Sequence, residues 1–223
     1  MGGTSTDISR IEDRTFTTKY SFDVEGIELC TPHLEIDTIA AGGGSKLTFE
    51  HGLFAVGPES VGSNPGPVCY GIGEDLALTD ANMILNRLDP AYFPKIFGKG
   101  KNEPPSREKS IAAFEKLADH INQSGANKNI YEIAEGYIDI ANELMAKSTR
   151  KLLAMGIPDA LVIFGSAGGQ HCCDLGHKLG VNRIFIHKFS GILSAYGLSK
   201  AVELKENKIY LGAVTSRAKF NYE

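Results

Sequence analysis

The run LVIFGSAGGQHCCDLGHKL, residues 161–179, decides the fold. Leu161–Phe164 reads as a short apolar strand, Gly165–Gly169 as a glycine-rich turn and Gln170–Leu179 as a helix. A strand that feeds a helix through glycines is the repeating unit of an α/β protein. The helix N-terminus offers unpaired N–H groups and a partial positive charge, which suits an anion. Gly168 and Gly169 also let a flat ring lie against the backbone, because no Cβ intervenes. Gly165, Ala167, Gly168 and Gly169 are therefore candidate cofactor-binding residues. The alternative is a tight strand-to-helix turn that binds nothing.

Downstream, Arg183–His187 reads as a second strand and Leu193–Val202 as a helix. Upstream, a long helix is expected from about Ile130 to Ala154, with Ala134, Ile138, Ala141, Met145 and Leu152 at helical spacing and Gly156-Ile157-Pro158 ending it. Ser106 starts another helix, to about Gln123, that places Ile111, Phe114, Leu117 (or Ala118) and Ile121 on one face. Residues 94–106 form a loop connector, solvated over Gly98–Pro105. Thr79 caps a short helix through Leu88, stopped by Asp89-Pro90. The first third reads as β: Arg14–Asp23, Glu35–Ala40, and a hairpin of Lys46–Glu50 and Leu53–Val56 split by His51-Gly52. Gly57–Gly73 holds three prolines and five glycines and is expected to be an irregular ordered loop. Antiparallel strands followed by strand–helix alternation predict an α/β fold with a mixed β-sheet flanked by helices.

The 25 glycines in 223 residues exceed the usual share of about 7%, and they cluster. A net charge of −4 without a long basic run argues against nucleic acid as a partner. No apolar stretch approaches the roughly 18 residues of a membrane span, and the polar MGGTSTDISR at residues 1–10 is no secretory signal. Four cysteines, two of them adjacent (Cys172 and Cys173), form neither a disulfide framework nor a CxxC pair, so a cytoplasmic location is expected.

Within residues 1–7, Gly2 and Gly3 can aim backbone N–H groups at phosphate oxygens. Thr4, Ser5 and Thr6 add hydroxyl donors, and Asp7 can hold Mg²⁺ directly or through water. Asp7 and Thr4 are the catalytic candidates; the alternative is a frayed Ser/Thr-rich turn. His171, Cys172, Cys173, Asp174 and His177 invite a metal reading, because Cys173 and His177 share a helix face. No nearby Cys or His completes four ligands, so packing cysteines are expected there, with His171 near the nucleotide.

As a set the motifs are MGGTSTDISR (1–10), PHLEIDTIAAGGGSKLTFEHGLFAVGPESVGSNPGPVCYG (32–71), LTDANMILNRLDPAYFPKIFG (78–98), IFGSAGGQHCCDLGHKLG (163–180) and HKFSGILSAYGLSKA (187–201). Together they resemble the hydantoinase A / 5-oxoprolinase family, which also holds acetone carboxylase β subunits. The wording of residues 32–71 is nearest the eukaryotic-type 5-oxoprolinases. The resemblance implies a ribonuclease-H-like lobe of the actin-like ATPase kind, binding ATP and Mg²⁺ between two phosphate loops and an adenosine loop. It makes Gly2–Asp7 the second phosphate loop and Gly165–Gly169 the adenosine loop, and it puts Gly43 and Gly44 at the nucleotide cleft. Residues 1–223 would be the second lobe, with 203–223 opening a following segment or tail.

The family's loop begins with an Asp just before Met-Gly-Gly, whereas this chain starts at Met1. The first lobe, with its own phosphate loop, is missing too. Phosphoryl transfer needs charge neutralisation from both sides, so the chain is not expected to turn over alone. The implied reaction opens 5-oxo-L-proline to L-glutamate after ATP phosphorylates the ring amide. The implied partners are this cyclic amide, the first lobe, a hydantoinase B-like module or subunit, and further copies in a homo-oligomer. A hydantoinase or acetone carboxylase β-like subunit is one alternative, and a non-catalytic remnant that binds nucleotide weakly is another. Glu59 and Asp80, beside the Gly-rich loop and the short helix, are candidate carboxylates on the ATP side, with ordinary loop and capping acids as the favoured alternative.

Overall fold

The computed structural model describes residues 1–153 and 156–202, and the chain divides into two compact units, Met1–Leu193 and Ser194–Glu223. The expectations for Ala154 and for 203–223 lie outside the described residues.

In the first unit, β1 (Thr6–Ser9) pairs antiparallel with β8 (Ile36–Ile39), and the chain between them doubles back repeatedly. β2 (Ile11–Glu12) pairs β3 (Thr15–Phe16), β4 (Thr18–Lys19) pairs β7 (His33–Leu34), and β5 (Phe22–Val24) pairs β6 (Ile27–Leu29). The strand expected over Arg14–Asp23 is thus broken into β3, β4 and the start of β5, while Asp13 and Arg14, at left-handed φ angles of 49° and 64°, reverse the chain between β2 and β3. β9 (Ser45–Glu50) and β10 (Leu53–Ser60) form the expected hairpin, with His51 and Gly52 at its tip. β10 runs on into the loop expected at Gly57, and the register shifts between Val56 and Ser60.

Helix α1 (Leu78–Ile84) is buried on every side, α2 spans Arg107–Asn122 and α3 Ile130–Leu152. Ser106 caps α2 by accepting from Lys109 N. Asn129 Oδ1 accepts from the amides of Tyr131 and Glu132, and Glu132 answers at Asn129 N, a reciprocal box that starts α3. β11 (Leu161–Ile163), a turn and α4 (Cys172–Leu179) lead to β12 (Ile184–Ile186), parallel to β11. Phe114, Tyr137, Leu78, Met83 and Ile84 are the largest core side chains. Helix α5 spans Leu193–Lys200, all but its first residue in the second unit.

The fold is mixed α/β. Strands of both directions are present, but among the described residues they form two-stranded pairings rather than one continuous mixed sheet. Met1 bonds at the end of β11, through its N to Phe164 O (2.9 Å) and its O to Ala167 N (3.2 Å). The chain then bends, Gly2 N donating to Ser5 O, before β1 begins, so no ladder joins β1 to β11.

Candidate functional site

Three segments far apart in sequence meet at one cavity of about 250 Å³. Its walls include Gly3 and Thr4, then Gly43 and Gly44, then Ser166, Ala167 and Gln170, with Gly62, Ser63 and Tyr70 from the proline-rich loop and Thr79 from α1. The first two segments are bonded together: Gly43 N donates to Gly2 O (3.0 Å) and Gly44 N to Gly3 O (2.6 Å). Thr79 fixes the second wall, donating to Gly43 O from both its amide and its hydroxyl, each at 2.8 Å. This tertiary bond takes the hydroxyl that was expected to cap α1. Gly165, at φ +89°, packs against the Met1 backbone, where a Cβ would collide with the Met1 carbonyl.

The other predicted residues fall around the cavity rather than on it. The Thr6 hydroxyl is committed inward, to Ala41 O at 2.6 Å. Strand alternation turns Asp7 the other way, where its Oδ1 accepts from the Thr38 hydroxyl at 2.7 Å, outside the lining. Ser5, Gly168 and Gly169 are likewise outside the lining. A second hollow, about 650 Å³ between β8, β10 and α3, contains none of the predicted site residues.

The cavity can be tested against a nucleotide triphosphate. A Cβ at Gly43 would stand 3.0 Å from Thr79 Oγ1 and 3.6 Å from the Ala167 Cβ, and one at Gly44 would stand 3.0 Å from Gly3 O. A side chain at either position would crowd this wall. The amides of Gly3 and Thr4 and the Thr4 hydroxyl make no hydrogen bond among the described residues, so they can serve an anion. No charged side chain lines the cavity, which leaves the neutralisation of phosphate to backbone donors, hydroxyls and an accompanying cation. The volume is just under the roughly 300–1,000 Å³ of small-molecule pockets, enough for part of a nucleotide. Among the described residues no group of three His, Cys, Asp or Glu side chains could hold a metal.

Sequence reasoning missed what supports these walls. Asp80 is fully buried and anchors the loop wall: Oδ1 accepts from Cys69 N (2.8 Å) and Ser110 Oγ (2.7 Å), Oδ2 from Val68 N (3.1 Å) and Ala77 N (2.9 Å). Burial pushes its carboxyl up, while the donors of Ser110, Ala77 and Cys69 pull it down. His171 lies behind the turn rather than in the cavity, 1% exposed, with Nδ1 donating to Asn142 Oδ1 (2.8 Å) and Nε2 accepting from Asn82 Nδ2 (3.2 Å). One signal was available: Asp and Asn inside the otherwise apolar run Leu78–Leu85 must find partners if that helix is buried all round.

Burial, and then the Arg87 charge, lower the His171 imidazole from 6.5 to about 4, against the opposing pull of Asp174. The unfolded chain takes up the proton below pH 6.5 and the folded chain does not until about pH 4, so stability is full above 6.5 and falls through that window. The loss amounts to about 3 kcal/mol by pH 4, at about 1.4 kcal/mol per unit. Urea unfolding at steps from pH 7 to pH 4, for the wild type and His171→Gln, measures it; identical slopes in the two proteins would show that this imidazole is not responsible.

The profile of the Hydantoinase/oxoprolinase family matches residues 1–207. The 5-oxoprolinase of Dictyostelium discoideum is 49% identical over 210 residues, which are 90% of this chain and 16% of that protein. The chain thus spans about a sixth of the length of such relatives. A nucleotide-free structure of acetone carboxylase, described with ATP-dependent acetone carboxylation, superposes with a TM-score of 0.74 at 25% identity, over 88% of this chain and 28% of that one. The ATP-dependent caprolactamase of Pseudomonas jessenii superposes with a TM-score of 0.69 at 30% identity, with the same coverage. No helix among the described residues is long and apolar enough to cross a membrane.

Proposed function

The chain belongs to the hydantoinase/oxoprolinase family, and from that premise we propose that it is the nucleotide-binding part of an ATP-dependent 5-oxoprolinase, acting in the opening of 5-oxo-L-proline to L-glutamate. The observation that carries this reading is the meeting of Gly3–Thr4, Gly43–Gly44 and Ser166–Ala167 at one cavity, although some 120 residues separate the last two. In this reading the lobe is ribonuclease-H-like, of the actin-like ATPase kind. The backbone donors of Gly3 and Thr4 and the Thr4 hydroxyl bind the phosphates. Gly43 and Gly44 let those phosphates approach the main chain, and Ser166–Gly169 takes the nucleoside side. Asp7, one strand position beyond the inward-facing Thr6, orients a magnesium-bound water from outside the lining. Bound ATP·Mg²⁺ supplies the phosphoryl group that activates the ring amide.

The substrate pocket, the opposing lobe and a hydantoinase B-like module come from the rest of a longer assembly, which is expected to be homo-oligomeric. The four cysteines, free in the structure, suit a reducing cytoplasm. Identity of 49% to a 5-oxoprolinase, against 30% to the caprolactamase, favours 5-oxoproline over other cyclic amides.

Calorimetric titration of the 223-residue chain with ATP·Mg²⁺ tests the reading. The expected result is binding with Kd below about 1 mM, roughly −4 kcal/mol, without turnover. Heats indistinguishable from buffer dilution up to several millimolar nucleotide would end the proposal, and turnover by the lone chain would remove the need for a second lobe.

A further inference from the structure

Helix α1 ends in a hydrogen-bonded reversal that sends the next side chain across the molecule. Asn86 takes a left-handed φ of 59°, its N donates to Met83 O, and Arg87 N donates to Asn82 O at 2.9 Å. Arg87 leaves this reversal towards the turn between β11 and α4. Its Nη1 donates both to Gln170 O (2.9 Å) and to Asp174 Oδ2 (2.7 Å). Asp174 Oδ2 also accepts from Asn142 Nδ2 (3.2 Å), and Asn142 Oδ1 receives the His171 ring. One guanidinium therefore ties the carbonyl of a cavity-lining residue to the first turn of α4, and the tie continues through Asn142 into α3.

The same stretch of chain reaches the Gly43–Gly44 wall, the loop wall and the turn before α4. Thr79 holds Gly43 O, Asp80 holds the Val68 and Cys69 amides, Asn82 holds His171, and Arg87 holds Gln170 O. Only the last of these grips the main chain of the turn on the nucleoside side. Ala167 N is held by Met1 O (3.2 Å) and Gly165 N by Ser190 O (2.8 Å), but the Gln170 end of the turn has only Gln170 N to Ala167 O (3.1 Å) and a weak Gln170 Nε2 to Ser166 O contact (3.3 Å) besides Arg87 among the described residues.

We propose that Arg87 is a positioning residue for the nucleoside-side turn, setting where Ser166, Ala167 and Gln170 stand without touching the ligand itself. The inference rests on the nucleotide reading above and adds a division of labour to it. The phosphate side, Gly3–Thr4 with Gly43–Gly44, is held by Thr79 and is independent of Arg87. The nucleoside side depends on it. As a side-chain ion pair, Arg87–Asp174 would count for little, since the two side chains are 29% and 42% exposed. Its consequence lies in the shared bond to Gln170 O: both bonds leave the one nitrogen Nη1, so a lysine keeps the charge and the donors but must bring its ammonium to the same point on a differently shaped stem.

The test compares two ligands on three proteins: ATP·Mg²⁺ and inorganic triphosphate·Mg²⁺, titrated by calorimetry into the wild type, Arg87→Lys and Arg87→Met. Arg87→Met is expected to bind ATP about ten-fold or more weakly while holding triphosphate within about two-fold of wild type, with Arg87→Lys between them. A loss merely of folding would weaken both ligands together, and that outcome overturns the inference, as does Arg87→Met binding ATP as the wild type does. Wild-type protein that binds triphosphate but gains nothing from the nucleoside would instead sink the nucleotide reading, and this inference with it.

Discussion

Asp80→Asn is expected to lower the stability of the first unit by about 3 kcal/mol, from the loss of bonds to a charged acceptor and the orphaning of a buried amide. The carboxylate is 0% exposed, and each of its oxygens accepts two donors. Asparagine keeps the shape but replaces one oxygen by an NH₂ group. With the NH₂ at the Oδ2 position it faces the Val68 and Ala77 amides; at the Oδ1 position it faces the Cys69 amide, while the Ser110 hydroxyl can turn to accept. Each orphaned buried donor costs about 1–3 kcal/mol. With a typical domain stability of about 5–15 kcal/mol, this is a large share. The effect is also local in origin, because three of the four donors are Val68 and Cys69, in the loop wall, and Ser110, on α2. Ser110→Ala removes a single donor together with its need for a partner and should cost only about 1 kcal/mol. Urea unfolding at pH 7 gives both values, and amide exchange at Val68 and Cys69 reports whether the loop wall opens first. A loss for Asp80→Asn no larger than that of Ser110→Ala would mean that the carboxylate is not the anchor.

Asp80 also marks where the sequence stops being legible. The helices α2 and α3 could be read because their signals are local: Ser106 and Asn129 sit at the caps, and the apolar residues recur on one face. The glycine clusters stood out for a similar reason, since a cluster is visible in one dimension. Asp80 was read as a capping acid. Its side chain does accept the Ala77 amide at the start of α1, yet its other partners lie 11, 12 and 30 residues away. The position of His171 just after the glycines points to the nucleotide, but Asn142 and Asn82, 29 and 89 residues distant, draw the ring behind the turn. Strand alternation, which is local, could have shown that Thr6 and Asp7 point to opposite sides. The motif reading grouped them as one loop instead. What local pattern cannot supply is the pairing of polar groups across the core, and that pairing is what sets the cavity walls.

Gly42→Ala is expected to abolish measurable nucleotide binding, at least about a 100-fold loss or roughly 2.7 kcal/mol, even if the chain still folds. Gly42 lies outside the lining of this cavity, so its effect must be transmitted. A Cβ there would stand 2.6 Å from three backbone atoms: the carbonyl carbon and oxygen of Gly3 and the carbonyl carbon of Thr4. Main-chain atoms cannot rotate aside as a flexible side chain can, so one of the two segments must move by most of an ångström. The added methyl is a wedge between the first and second walls, and the bonds nearest it are Gly43 N to Gly2 O and Gly44 N to Gly3 O. Overpacking of this kind typically costs about 1–3 kcal/mol of stability. The neighbouring glycines supply a graded series in which space alone is varied. Gly43→Ala meets Thr79 Oγ1 at 3.0 Å and should be intermediate, while Gly3→Ala finds nothing within 4 Å and should fold like the wild type. Thermal unfolding and ATP·Mg²⁺ calorimetry on the three variants separate the effects. If Gly42→Ala binds as tightly as the wild type, the close approach of the two walls is not what shapes the site, and the phosphate side must be sought elsewhere on the chain.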